Sequence, residues 1–144
     1  MRSRIAATVA LTFATPLGAQ PSAPYFDAYR TTPLSAGDWT YAATVAGSEA
    51  QFGASFVVRC DRATRLVLLQ RLAGPQTTAI AMVIATDSAI RSFAASAVRL
   101  AARDPLFDAI AFSRGRIVVS GGGGTALILP SWPEAARSIE DCRN

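Results

Sequence analysis

From residue 38 onward the chain is cut into short runs rich in Val, Ile, Leu, Thr and aromatics, separated by Gly, Pro, Asp and Ser. That spacing predicts antiparallel strands joined by turns. Strands are read at 39–45, 52–60, 65–72, 78–86, 89–94, 116–120 and 125–129. Asp61-Arg62-Ala63-Thr64 is a polar turn between two alternating runs, so 52–60 and 65–72 form a hairpin. Alternation sends Phe56, Val58 and Cys60 to one face and Arg59 to the other. On the partner strand it sets Arg65 and Arg71 on the face opposite to Leu66, Leu68 and Leu72. Gly74-Pro75 breaks the chain before the next strand, and Asp87-Ser88 turns it into 89–94.

Two helices interrupt this pattern. Asp104-Pro105 reads as a helix start, because Asp accepts from free amides and Pro is pre-set for the first helical position. Leu106, Phe107, Ile110 and Ala111 form its apolar stripe, and Gly115 is the expected stop. Ser131-Trp132-Pro133-Glu134 has the spacing of a capping box. After it, Trp132, Ala135, Ala136, Ile139 and Cys142 recur at helical intervals, with Arg137 and Asp141 on the exposed side.

The N-terminus has a different character. Arg2 and Arg4 precede an uncharged apolar stretch at 5–13, and Gly18-Ala19 supplies small residues for cleavage. Residues 1–19 therefore read as a secretory signal peptide, with the mature chain starting at Gln20. The apolar stretch is too short to cross a bilayer, and no later apolar run reaches the eighteen residues a membrane helix needs. No integral membrane segment is expected after cleavage, and the location is periplasmic or secreted. Residues 20–37, with Pro21, Pro24 and Pro33, read as an extended leader that disfavours helix, and 38–144 as a single disulfide-clamped domain. Tyr25, Phe26 and Tyr29 in the leader either lie against the domain or form a partner patch, and the first reading is preferred.

Export changes the reading of the two cysteines. Cys60 and Cys142 are an even pair, far apart in sequence, and in an oxidising compartment they are most simply a disulfide. Cys60 on the inward strand face and Cys142 on the apolar helix stripe support that pairing independently. Two free buried thiols are the competing reading; the pair lacks the Cys-x-x-Cys spacing of a redox motif.

Charge and composition narrow the chemistry further. The formal charge is +4, and loss of Arg2 and Arg4 leaves +2, so no nucleic-acid partner is inferred. All fourteen basic residues are arginine, and histidine is absent. Without His there is no Ser-His-Asp or Cys-His nucleophile, and without Lys no Schiff base. A carboxylate enzyme would need clustered acids, and the ten Asp and Glu residues show no such cluster. Asp104 and Asp108 are assigned no catalytic role. Gly121 to Gly124 precedes a strand rather than a helix, which favours a hairpin loop over a phosphate cradle. No cofactor or metal site is expected. Arg59, Arg62, Arg65 and Arg71 form a candidate partner surface, set against the simpler reading of a solvated sheet face. Trp39 and Trp132 are read as core-closing aromatics.

The order of landmarks, with Gly37-Asp38-Trp39 opening the domain, a strand ending in Cys60, a late strand at 115–119 and a final short helix, resembles small exported proteobacterial proteins. In layout it is similar to the invasion-associated locus B family and to periplasmic proteins associated with type VI secretion, although the cysteine that often follows the tryptophan in the former is missing. The resemblance implies no catalytic residues. The combined expectation is an α+β domain: an antiparallel sheet, as a sandwich or partial barrel, packed by two short helices and tied by one disulfide. Its expected role is that of an exported, non-enzymatic envelope or secretion accessory protein binding a protein or envelope component. The alternative is a small periplasmic inhibitor or ligand-binding module presenting the 61–64 turn or the 121–124 loop.

Overall fold

The computed structural model describes residues 23–72, 81–121 and 124–144. The signal-peptide reading, the break at Gly74-Pro75 and the centre of the glycine loop lie outside the described residues. The chain is α+β. One sheet holds β1 (Trp39–Thr44), β2 (Gly47–Phe52), β3 (Phe56–Asp61), β4 (Leu66–Arg71) and β7 (Ala97–Ala101), side by side in the order β1-β2-β3-β4-β7. The other holds β5 (Met82–Ala85), β6 (Ile90–Phe93), β8 (Ile117–Gly121) and β9 (Leu127–Leu129), in the order β6-β5-β8-β9. All pairings are antiparallel. Three helices complete it: α1 (Ala23–Asp27), α2 (Pro105–Ala111) and α3 (Pro133–Arg143).

Register fixes which side chains reach the core. Tyr41, Ala50, Val58, Leu69 and Val98 lie in one row across the first sheet, and Ala43, Ser48, Cys60, Val67 and Leu100 in the next. Ala50, Val58 and Leu69 join Met82, Ile84 and Val119 of the second sheet in one buried cluster, with Leu106, Phe107 and Ile110 of α2 and Ala135 and Ile139 of α3. Cys60 and Cys142 are bonded to each other, with Cα atoms 5.4 Å apart across 82 positions. Gly47 opens β2 where a Cβ would lie 2.4 Å from the Cys60 carbonyl oxygen, so only glycine lets the strands approach there.

The hairpin forms as the alternation predicts, but its second strand faces the other way. Phe56 pairs with Arg71, Val58 with Leu69 and Cys60 with Val67, so the inward residues are Val67, Leu69 and Arg71, and Leu66 and Leu68 stand with Arg59 on the outer face. The run Leu66-Val67-Leu68-Leu69 is apolar at both parities, so period two could not choose between them. The choice falls to the turn, where Arg65 takes φ 54°.

Other boundaries shift for local reasons. The strand expected at 52–60 is β3, which starts only at Phe56, because Phe52 closes β2 and Gly53 at φ 48° turns the chain. β2 and β7 carry too few large apolar residues to stand out in sequence. Asp104 caps α2 as expected, accepting from the Leu106 amide at 2.9 Å. α2 stops at Ala111, and Gly115 serves the following turn instead. The capping box does not form. Trp132 is the N-cap of α3 without a side-chain bond, and Ser131 Oγ accepts from the Gly115 amide at 3.1 Å. Trp132 thus lies off the helical stripe and is 44% exposed, while Ala135, Ser138, Ile139 and Cys142 point inward. Trp39 is buried, with Nε1 donating to the Pro130 carbonyl at 2.9 Å.

The leader is not wholly extended. Pro24 sits in the first turn of α1, where its missing N–H costs nothing. Phe26 is buried with Ala85, Val118 and Ile128 on the outer face of the second sheet, flanked by Tyr25 and Tyr29. Arg116 fastens the segment by donating to the Tyr29 and Thr32 carbonyls at 2.8 and 2.9 Å. The leader aromatics therefore cover the fold rather than project from it.

Candidate functional site

The four arginines of the candidate surface have four different environments. Arg59 is exposed and paired with Glu49 at 2.5 Å. Arg62 and Arg65 are exposed in the β3–β4 turn, whose shape is set by Asp61 Oδ1 accepting from the amides of Ala63 and Thr64. Arg71 is buried and turned inward. Its Nη1 donates to the Val119 carbonyl at 2.7 Å and its Nη2 to that of Thr125 at 2.5 Å, so it bridges the first sheet to the second. Burial without a carboxylate lowers the Arg71 pKa from its ordinary value. Arg71 is thus a structural clamp and does not share a surface with the other three.

The structure gathers a different set around Arg65. The turn lies beside the start of the β7–α2 loop, where the Ala102 amide donates to the Arg65 carbonyl at 3.0 Å. It also lies beside the end of α3, where Arg65 Nη1 donates to the Arg143 carbonyl at 3.2 Å. Arg143 is held on three sides: Nε donates to the Ala102 carbonyl at 2.9 Å, Nη2 to Asp108 at 2.7 Å and Nη1 to Glu140 at 2.8 Å. Arg65, Arg103 and Arg143 line a cavity of about 160 Å³ whose remaining wall is Ala101, Ala102 and Cys142. A neighbouring cavity of about 190 Å³ shares Arg103 and Arg143 and adds Asp108.

The electrostatics of this end follow from the pairing. Arg143 has two carboxylates, while neither Arg65 nor Arg103 makes an ion pair with a carboxylate among the described residues. Both are exposed, so both guanidinium groups are solvated and available. A guanidinium offers donors in a fixed fork that matches a carboxylate or phosphate two bonds at a time. Arg65 holds this position at φ 54°, the only non-glycine with positive φ among the described residues. A side chain there costs roughly 1 kcal/mol over glycine, a cost set by the β3–β4 turn.

The acids near this end are already engaged. Asp104 caps α2 and pairs with Arg91 at 2.6 Å, while Asp108 pairs with Arg143, so these two work with different arginines. Among the described residues no three His, Cys, Asp or Glu gather as a metal-binding group. No helix among them is long and apolar enough to cross a membrane. Comparison with known proteins gave no match to a family model, a curated protein or a solved structure.

Sequence reasoning placed Arg65 on the site and missed Arg103 and Arg143, while Arg62, exposed in the same turn, does not line the cavity. Neither has a local motif. Arg103 precedes the Asp104 cap, and Arg143 is the last helical residue of α3, which the disulfide at Cys142 brings to the β3–β4 turn. The pairing of Cys60 with Cys142 was the signal that could have placed Arg143 beside Arg65.

Proposed function

We propose that this chain is an exported, non-enzymatic accessory protein of the envelope or of a secretion system, and that it binds an anionic partner through the arginine end beside the disulfide. The observation that carries the reading is Arg65 and Arg103: two guanidinium groups lining one cavity without a carboxylate, next to a third that is fully engaged in holding the cavity's shape. The N-terminal pattern of residues 1–19 and a disulfide supported by an oxidising compartment favour the exported location. The order of landmarks in the sequence, which resembles that of invasion-associated locus B proteins and type VI secretion-associated periplasmic proteins, favours the same role. The inhibitor reading draws on the exposed turn at Arg62, Ala63 and Thr64, which would enter an acidic cleft while the arginine pocket grips its rim.

Retention on immobilised polyglutamate, against polyglutamine as the neutral control, tests the site. The wild type is expected to be retained at low salt and released as ionic strength rises. The double variant Arg65→Ala/Arg103→Ala should elute with the control, whereas Arg59→Ala, whose partner is Glu49, should behave as wild type. Equal retention of all three would reject the arginine end as the binding surface. Intact mass of the exported protein, starting at Gln20 and two hydrogens light, tests the location.

A further inference from the structure

Four strands lie at the edges of the two sheets, and three carry recognisable protection. β7 has the exposed Arg99 at its centre, and β6 has the exposed Arg91, paired with Asp104. β9 is three residues long and is covered by Ser35, whose amide donates to the Ile128 carbonyl at 2.9 Å and whose Oγ accepts from the Ile128 amide at 2.9 Å. Charges, short length and covering segments are the usual means of blocking an edge. Among the described residues β1 has none of them along its hydrogen-bonding edge. Its six residues, Trp-Thr-Tyr-Ala-Ala-Thr, include no charge and no proline, it pairs only with β2 among the described strands, and Thr40, Ala42, Ala43 and Thr44 are exposed.

Beside this edge lies a groove of about 300 Å³ lined by Trp39, Tyr41, Pro133, Glu134 and Arg137. Tyr41 is fixed within it: its hydroxyl donates to Asp141 at 2.5 Å and the Arg137 guanidinium lies 4.1 Å above its ring. Arg137 stacks there instead of pairing with Glu134, although the two are three positions apart on one helix. Glu134 Oε2 is buried and has no hydrogen-bond partner among the described residues. A buried acceptor left unpaired is costly, and an N–H or O–H donor entering the groove would satisfy it.

We propose that β1 is a docking edge for an extended segment of a partner protein, which adds as an outer strand and sends one donor-bearing side chain, Lys, Arg, Asn or Gln, into the groove to Glu134. Main-chain bonds along Trp39–Thr44 supply affinity, and the alternate side chain facing the groove supplies selectivity. This surface is separate from the arginine end and does not depend on it.

The test is selection of a displayed library of random nine-residue peptides on the full chain, followed by hydrogen exchange with the selected peptides bound. Selected peptides are expected to share a donor side chain at one position and to slow exchange of the amides in Trp39–Thr44. N-methylation of alternate peptide amides, which leaves the protein untouched, should weaken binding by about tenfold or more, and Glu134→Ala should do likewise. Failure to select any peptide, or binders that leave exchange of β1 unchanged, would overturn the proposal. So would a concentration-dependent dimer with protected β1 amides, which would make a second copy the occupant.

Discussion

Arg65 and Arg71 stand at the two ends of one strand segment and do opposite work. Arg71 lies inward, opposite Phe56, and its two Nη groups each donate to a main-chain carbonyl of the facing sheet or its loop. Arg65 sits in a strained turn, gives one donor to the Arg143 carbonyl and keeps its remaining donors toward solvent. The residue type is the same, and so is the neighbourhood in sequence. What separates a clamp from a binding group is whether the fold has already satisfied the guanidinium. The arginine that costs the fold strain is the one with donors to spare.

Breaking the frame around Arg65 should have the largest effect. Replacing both cysteines by serine frees α3 from β3, and loss of a loop of 82 positions removes about 4–5 kcal/mol by the chain-entropy model. Urea unfolding should show this as a large fall in midpoint, and retention on polyglutamate should weaken with it because Arg143 loses its fixed place. Breaking the clamp comes next. Arg71→Ala leaves the Val119 and Thr125 carbonyls without their donor and opens a gap between the sheets, at a cost of about 1–3 kcal/mol by chemical unfolding. Polyglutamate retention should remain at wild-type level in conditions where the variant is folded, which separates the two arginines directly.

That contrast also shows how far the sequence could be read. The hairpin, the Asp104 cap, the disulfide and the α+β class were legible, because each rests on local chemistry or on the parity of a single residue. Arg71 was placed on the outer surface because Leu66, Leu68 and Leu72 looked like the inward set. The register is decided by the turn conformation at Arg65, and no periodicity carries that information. Trp132 was assigned to the helical stripe because its spacing fits, yet its backbone is extended at φ −86° and ψ 162°, outside the helix. Arg103 and Arg143 reach the site only through tertiary folding, one on a loop and one beside a cysteine whose partner lies 82 positions away.

Two smaller changes sharpen the comparison. Arg65→Gly removes the left-handed strain and should raise stability by up to about 1 kcal/mol while weakening polyglutamate retention. A gain in stability without a loss of binding would remove Arg65 from the binding surface. The smallest effect is expected at Tyr41→Phe. The Tyr41 hydroxyl holds the Asp141 carboxyl below its ordinary 3.8, so its folded pKa is lower than its unfolded one. Such a group stabilises the fold above the unfolded value and loses that contribution as pH falls through the folded value. Wild-type stability should therefore decline below about pH 4, and Tyr41→Phe should flatten the decline, with a difference under about 1 kcal/mol near neutrality because the carboxylate is well solvated.

Which guanidinium groups meet an anion can be read residue by residue. Titration of the full chain with a triglutamate peptide, followed through the arginine Nε–Hε resonances by NMR, should move Arg65 and Arg103 together along one saturating curve, with Arg71 unmoved. Equal movement of Arg65, Arg103, Arg91 and Arg99, or none at Arg65 and Arg103, would contradict that assignment.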